Sequence, residues 1–142
     1  MNLDQALVFA LSRRNAILTT LRRDGRPQQS MIFYVASGPA LLISVTTDRA
    51  KTANLRRDNR AALFISGESP FSWVSLDGTV RVGAVTRTAG DQPSDDLVDY
   101  YRRSAGEHGD WDGYRRAMVA EQRLLLIFTP AAATGILGDP AS

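Results

Sequence analysis

The sequence predicts a mainly β protein in which six or seven short antiparallel strands form a barrel, with a few flanking helices. Runs rich in β-branched and aromatic residues recur along the chain, and turn signals built from Gly, Pro and Asp separate them. Helical apolar spacing is confined to a few segments. The length of 142 residues suits one hydrophobic core and is short for two, so 1–142 is predicted to be a single domain.

The N-terminal part of the chain is predicted to form one helix and three strands. Apolar residues recur with helical spacing from Leu3 onward, which predicts a helix over 3–14 with Asn2 as its N-cap. Three β-rich runs follow, separated by the turn signals DGR and SGP. They predict consecutive antiparallel strands near 16–22, 27–36 and 40–46.

A polar segment then interrupts the strands and predicts a helix over about 49–57, with Thr47 or Asp48 as its N-cap. The chain has a net charge of only +2, yet five cationic side chains lie close together here: Arg49, Lys51, Arg56, Arg57 and Arg60. Cations at a helix N-terminus oppose the helix dipole, so Arg49 and Lys51 indicate a bound anion such as phosphate. A solvated helix is the alternative.

The second half of the chain continues with strands and two helices. The predicted elements are, in chain order, strands over 61–66 and 73–88, helices over 94–105 and 111–120, a strand over 123–129 and a short closing segment through 136. Asp77 and Gly78 indicate a hairpin turn or a bulge within the long strand, and Asp110 is the expected N-cap of the last helix. The tail 138–142 is expected to be disordered.

Composition excludes several kinds of site. The chain has no cysteine, and His108 is its only histidine, so no metal site is predicted. Apolar runs are too short for a membrane span and the N-terminus lacks signal-peptide features, so no membrane partner and a cytoplasmic location are expected. His108 is expected to be a loop histidine bonded to backbone, with a role as proton donor as the alternative.

Large apolar and aromatic side chains of the two later helices are compatible with packing in the core or with lining a substrate pocket. Trp111, Tyr114 and Met118 share a helical face and are expected to face the core, with the wall of a substrate pocket as the alternative. Of Tyr100 and Tyr101, one is expected to pack and the other to reach the pocket. Three acidic side chains are expected to lie in solvent at the start of the first of these helices: Asp95, Asp96 and Asp99.

Four stretches, DGRPQQS, RAKTANLRRD, SWVSLDGTVRV and AGEHGDWDGYRRAMV, resemble the split β-barrel flavin and deazaflavin proteins of the pyridoxamine 5'-phosphate oxidase-like superfamily. The last stretch is similar to the F-420-dependent reductase branch of actinobacteria. The resemblance extends from about Leu3 to Ile136. It implies a split barrel, a homodimer with a cofactor groove at each interface, and coenzyme F-420 as the cofactor, with FMN as the alternative.

The resemblance also implies which residues bind the cofactor's polar part. Arg49, Lys51 and Asn54 would bind the phosphate and the anionic oligoglutamate tail, and Thr46 would lie beside the ribityl chain. The spaced cations of this segment suit a cofactor with several anionic groups better than FMN, which carries one phosphate.

On the ring side, the resemblance implies that Gln28, Ser30 and Met31 line the deazaflavin. Related sequences often carry a polar residue where this chain has Met31, so a hydrogen bond to the ring edge is not expected there. Trp73 and Val74 would come from the partner protomer. No catalytic side chain is predicted, because the reduced cofactor supplies the hydride itself.

The function implied is reduction of a conjugated small molecule, such as a quinone, enone or tetrapyrrole, by reduced F-420. An FMN-dependent enzyme similar to pyridoxamine phosphate oxidase is one alternative, and a protein that binds F-420 or a flavin without turnover is another. A nucleic-acid-binding barrel ranks last and no nucleic-acid partner is expected, because the segment 46–62 contains no aromatic residue to stack on bases.

Overall fold

Seven strands and four helices follow one another along residues 1–138, the part of the chain that this computed structural model describes. The elements are α1 (Leu3–Leu11), β1 (Asn15–Leu21), β2 (Pro27–Phe33), β3 (Val35–Ser37), β4 (Ala40–Thr46), α2 (Ala50–Arg57), β5 (Arg60–Ser66), β6 (Ser72–Val82), α3 (Gln92–Ala105), α4 (Trp111–Ala120) and β7 (Arg123–Leu137). The predicted disorder of the tail concerns mainly residues 139–142, which lie outside the described part.

All seven strands form one antiparallel sheet in the order β2-β1-β5-β6-β7-β4-β3. The sheet curls into a half-barrel, which confirms the predicted mainly β class. Alternate residues of each strand point inward, and several of these side chains are fully buried, among them Leu18, Leu63, Leu76, Leu126 and Phe128. Helix α1 covers one end of this core with Ala6 and Ala10.

The predicted strand over 27–36 is two strands that lie at opposite ends of the sheet. β2 pairs with β1 from Pro27 to Phe33, the chain crosses at Tyr34, and β3 pairs with β4. The predicted antiparallel pairing is therefore present on both sides, but the middle strand is divided: β2 pairs with β1, β3 pairs with β4, and β2 and β4 form no ladder. A seam without backbone hydrogen bonds separates them, and it splits the barrel.

Tyr34 anchors this crossing point. Its side chain is 5% exposed, its hydroxyl donates to the Ala10 carbonyl oxygen at 2.6 Å, and its backbone N–H donates to the Arg14 carbonyl oxygen at 3.0 Å. Burial raises the pKa of the Tyr34 hydroxyl to about 12. The crossing is thus tied by one hydrogen bond to helix α1 and by another to the segment between α1 and β1.

The predicted N-cap is confirmed for α1 but is wrong for α2. Asn2 caps α1 as predicted and forms a capping box with Gln5, although the helix ends at Leu11 instead of near 14. At α2 the N-cap position is held by Arg49, with no side-chain hydrogen bond, so the prediction of Thr47 or Asp48 is wrong. The Asp48 carboxylate instead accepts a hydrogen bond from the Thr46 hydroxyl at 2.6 Å.

β6 and β7 form the longest ladder of the sheet. A register shift at Asp77 and Gly78 confirms the bulge rather than a hairpin turn. A Cβ on Gly78 would collide with the Thr129 carbonyl oxygen, so only glycine fits there. β6 ends at Val82, short of the predicted 88, whereas β7 joins the predicted strand and closing segment into one element.

Helices α3 and α4 cover the outer face of β4 and β7 through a second apolar cluster that includes Leu97, Tyr114 and Leu125. Asp110 caps α4 as predicted, accepting from the Gly113 N–H at 2.9 Å. α3 begins at Gln92, two residues earlier than predicted. Its three acidic residues are exposed as predicted: Asp95, Asp96 and Asp99.

The cap of α3 is Asp91, whose carboxylate accepts hydrogen bonds from the Arg87, Ser94 and Thr88 N–H groups and from the Thr86 hydroxyl. These bonds lower the pKa of Asp91 to about 2.

No helix within residues 1–138 is long and apolar enough to cross a membrane.

We expect Tyr34→Phe to lower the free energy of unfolding by about 0.5–1.5 kcal/mol at pH 7, because the buried hydrogen bond to the Ala10 carbonyl is lost while that carbonyl keeps the Arg13 N–H. Urea unfolding measures this. Since the pKa of Tyr34 is raised in the fold, its contribution is complete below pH 10 and is lost as the pH rises through about 12, so the two proteins should converge there.

The matched control is Tyr101→Phe, because the Tyr101 hydroxyl makes no side-chain hydrogen bond within residues 1–138. Equal destabilisation by both variants would show that the hydrogen bond from Tyr34 to Ala10 adds nothing to stability beyond the loss of a tyrosine hydroxyl.

Candidate functional site

The seam between β2 and β4 opens into a groove of about 510 Å³. Its floor is β4 at Ser44 and Thr46, and one wall is β2 at Met31 and Phe33. Helices α3 and α4 form the opposite wall with side chains from both: Tyr100, Tyr101, Tyr114 and Met118. The groove therefore exists because the strand crossing at Tyr34 prevents β2 and β4 from pairing, which leaves a gap in the barrel wall.

One end of the groove is a basic corner formed by Arg49, Lys51 and Ser30. The Lys51 ammonium donates to the Ser30 hydroxyl at 3.1 Å, which joins helix α2 to strand β2. Burial and, secondly, the charge of Arg49 lower the pKa of Lys51. Both causes are costs of holding a cation there, and a bound anion would relieve them.

The backbone of α2 adds further donors to this corner. Arg49 at the N-cap offers no side-chain acceptor, and within residues 1–138 the N–H groups of Ala50 and Lys51 donate no hydrogen bond. Such open N–H groups at a helix N-terminus bind anions. The groove lining includes three cationic side chains, Arg49, Lys51 and Arg123, and no carboxylate among the described residues.

The structure does not bring Asn54 or Gln28 to the groove lining. Asn54 is buried, donates to the Thr20 hydroxyl at 3.1 Å and accepts from Arg57 at 3.2 Å. Thr20 in turn donates to the Gln28 side-chain oxygen at 3.2 Å. These side chains form a network that links α2, β1 and β2, and their direct role toward a cofactor remains a prediction.

Trp73 and Val74 lie away from the groove of their own chain, on β6. The Val74 side chain is fully buried in the core of its own protomer, and its role toward a partner's cofactor stays a prediction. The Trp73 ring lies on the outer face of the sheet, stacked on Phe64 with ring centroids 5.4 Å apart. Of the two, only Trp73 presents its side chain outward.

The helical wall rests on a cluster of four rings whose centroids lie between 5.0 and 5.7 Å apart: Tyr101, His108, Trp111 and Tyr114. The His108 Nδ1 accepts the Asp110 N–H at 2.8 Å, which confirms the loop histidine bonded to backbone. His108 does not line the groove. The Tyr114 hydroxyl donates to the Leu97 carbonyl oxygen at 2.8 Å, and this holds α4 against α3.

One prediction for this wall needs correction, and the others hold at least in part. Tyr100 and Tyr101 both line the groove, whereas one of them was expected to pack away from it. Tyr114 and Met118 belong both to the apolar cluster and to the groove, so the two alternatives for them hold together. Trp111 packs in the cluster behind the groove.

Sequence reasoning missed Arg123 and Ser44. Both face the groove because Arg123 lies opposite Thr46 in the β4–β7 ladder, on the same face as Ser44. Arg123 precedes the apolar run LLLIF, and a single charged residue is common at the start of a strand. Its sequence context therefore gave no indication of a role in the site. No group of three or more His, Asp and Glu side chains in residues 1–138 is placed to hold a metal ion.

Solved structures that superpose on this chain include proteins with different described functions. A conserved hypothetical protein from Mycobacterium tuberculosis superposes with a TM-score of 0.72 at 19% identity, over 100% of this chain and 95% of that one. An F-420 reductase gives 0.64 at 21% identity, over 87% and 92%. The heme storage protein HutZ from Vibrio cholerae gives 0.67 at 13%, over 94% of each chain. At such identities these likenesses show the fold alone.

The family assignment comes from the sequence. The model of the pyridoxamine 5'-phosphate oxidase family matches residues 3–135, which include every strand from β1 to β6, all four helices and most of β7. The matched region contains the crossing at Tyr34, the basic corner and the helical wall of the groove. This chain therefore belongs to the pyridoxamine 5'-phosphate oxidase family, whose split barrel binds flavin-type cofactors.

Proposed function

We propose that the protein is an F-420-dependent oxidoreductase that reduces a conjugated small molecule such as a quinone, enone or tetrapyrrole. The observation that carries the proposal is the basic corner, where Arg49 and Lys51 lie at one end of an aromatic-walled groove and the Ala50 and Lys51 N–H groups at the start of α2 donate no hydrogen bond within residues 1–138. That donor set suits a phosphate-bearing cofactor with a flat ring system.

The side chains of the groove have distinct tasks in this proposal. Lys51 and Arg49 hold the phosphate, and Ser30 keeps the Lys51 ammonium in place. Met31 and Thr46 flank the space for the ring and its chain, and the helical wall keeps water from the far side. Reduced F-420, when bound, supplies a hydride, so the protein's task is binding and orientation.

F-420 is preferred to FMN for two reasons. The stretch AGEHGDWDGYRRAMV, which resembles the F-420 branch, forms the loop and helix α4 behind the groove wall. In addition, an F-420 reductase is among the proteins of this fold. The oligoglutamate tail would extend from the basic corner along α2, where Arg56 and Arg57 are exposed.

We propose further that the protein is a homodimer with the groove at its interface. An outer apolar face crosses the sheet from strand to strand and comprises Met31, Ile17, Phe64, Trp73 and Ile136. Met31 is 67% exposed on this face and also lines the groove. A second copy seated on this face would therefore cover the open side of the groove and bring its own Trp73 close to it.

The cofactor is tested by titrating the purified protein with F-420, FMN and heme, with fluorescence and absorbance as readouts. We expect F-420 to bind at least about tenfold more tightly than FMN, because more of its anionic groups meet cations. Turnover is then measured with reduced F-420 and a quinone. Tight binding without turnover would favour a non-catalytic binding protein, and tighter FMN or heme binding would contradict the proposal.

Lys51→Met should weaken F-420 binding by about 1.5–3 kcal/mol, the range for hydrogen bonds to charged groups. The free energy of unfolding at neutral pH should be equal to or above that of the natural protein. The pKa of Lys51 is lowered in the fold, so the cost of its charge is present at neutral pH and disappears as the pH rises toward 10.5.

Calorimetric titration and urea unfolding measure the two effects of Lys51→Met. The control is Arg103→Met, which removes an exposed cation paired with Asp99 outside the groove. Lys51 has no part in the site if both variants bind F-420 as the natural protein does.

Phe64→Glu should shift the dimer toward monomer, because it places two carboxylates in an apolar interface. Sedimentation velocity at micromolar concentration measures this, with Val8→Glu, an exposed apolar position on α1, as control. A natural protein that sediments as a monomer would overturn the interface, and so would a dimer unaffected by Phe64→Glu.

A further inference from the structure

We infer that the groove selects acceptor substrates that carry a carboxylate or similar anionic group, which Arg123 binds with the Tyr100 hydroxyl beside it. The inference rests on the proposed function in taking this groove as the place where substrate and cofactor meet. It adds the chemical class of the substrate and two residues that would recognise it.

Arg123 and Lys51 lie on different sides of strand β4, the floor of the groove. Lys51 is bound to Ser30 on β2, beyond one edge of β4, whereas Arg123 belongs to β7 on the other edge of β4. A cofactor held at Lys51 therefore leaves Arg123 on the far side, next to the helical wall. The groove thus has separate positive charge for two ligands.

The Arg123 guanidinium already binds a carboxylate in the structure. Its Nε and one Nη donate to the same oxygen of Glu121, at 3.3 and 3.1 Å. Glu121 does not line the groove, and its side chain is more exposed than that of Arg123. The pair leaves other guanidinium N–H groups unused among the described residues, so an anion in the groove can share Arg123 or replace Glu121.

Tyr100 supplies a neutral donor in the same groove lining as this cation. Its side chain is half-buried in the groove wall, and burial raises the pKa of its hydroxyl, against the opposing effects of the Ser44 N–H and the Arg123 charge. The hydroxyl therefore keeps its proton at neutral pH and makes no side-chain hydrogen bond within residues 1–138. The neighbouring Tyr114 hydroxyl is already occupied by the Leu97 carbonyl.

The chemistry of these groups indicates an anionic ligand. A guanidinium and a protonated phenol are both donors, and within residues 1–138 no carboxylate lines the groove to repel an acid. A neutral substrate would leave the positive charge of Arg123 without a partner other than exposed Glu121. The aromatic side chains around it favour a flat conjugated molecule.

The test compares two flat conjugated probes of equal size, para-nitrobenzoate and para-nitrobenzamide, by calorimetry on the protein with and without F-420. We expect the acid to bind at least about tenfold more tightly than the amide. Arg123→Leu should remove this preference while the amide affinity stays the same. Glu121→Gln should tighten acid binding, because Arg123 loses its competing carboxylate.

Arg103→Met is the matched control, because it removes an exposed cation outside the groove. It should keep the preference for the acid on F-420-loaded protein. Equal affinity of the two probes for the natural protein overturns the inference, as does a preference that survives Arg123→Leu or is lost equally in Arg103→Met. Should Arg123→Leu fail to fold, Glu121→Gln decides, and unchanged or weaker acid binding overturns the inference.

Different results would overturn the proposed F-420 function and the anion subsite at Arg123. An Arg123-dependent preference for the acid in a protein that does not bind F-420 would overturn the proposed function and keep the anion subsite. Tight F-420 binding without any preference for the acid would keep the proposed function and overturn the subsite.

Discussion

The buried hydrogen bond from the Tyr34 hydroxyl to the Ala10 carbonyl holds the point at which one run of chain passes from one end of the sheet to the other. Because the crossing occupies this position, β2 and β4 cannot form a ladder, and the seam between them becomes a groove. The basic corner, the floor at Thr46 and the wall at Met31 all depend on that separation. Helix α1 is thus coupled to the site although it contributes nothing to its lining.

The groove combines two properties that a solvated surface does not need. Lys51 and Arg123 are partly removed from water in a lining that contains no carboxylate among the described residues, and the N-terminus of α2 leaves N–H groups of Ala50 and Lys51 open within the same residues. Both features cost stability in the empty protein. Their concentration at one seam is typical of a site whose stabilising partner is a ligand.

The helical wall shows how one set of side chains can be both core and site. Tyr114 packs against Leu97 and Leu125, donates its hydroxyl to a backbone carbonyl, and still presents part of its ring to the groove. The ring cluster behind it, with His108 bound to the Asp110 N–H, fixes the loop before α4. A substrate pocket built on such a wall is rigid, so its selectivity depends on the few polar groups that reach it.

Local patterns in the sequence determined the mainly β class, most element positions, the caps Asn2 and Asp110, the bulge at Gly78 and the concentration of cations near Lys51. Each follows from neighbours in the chain, through periodicity, turn chemistry or capping. Tertiary structure alone decided that the run through Tyr34 is split, that Asn54 turns inward to Thr20, and that Val74 is buried. It also placed Arg123 and Tyr100 in the lining of one groove, since strand pairing and helix packing join positions far apart in the sequence, where no local pattern connects them.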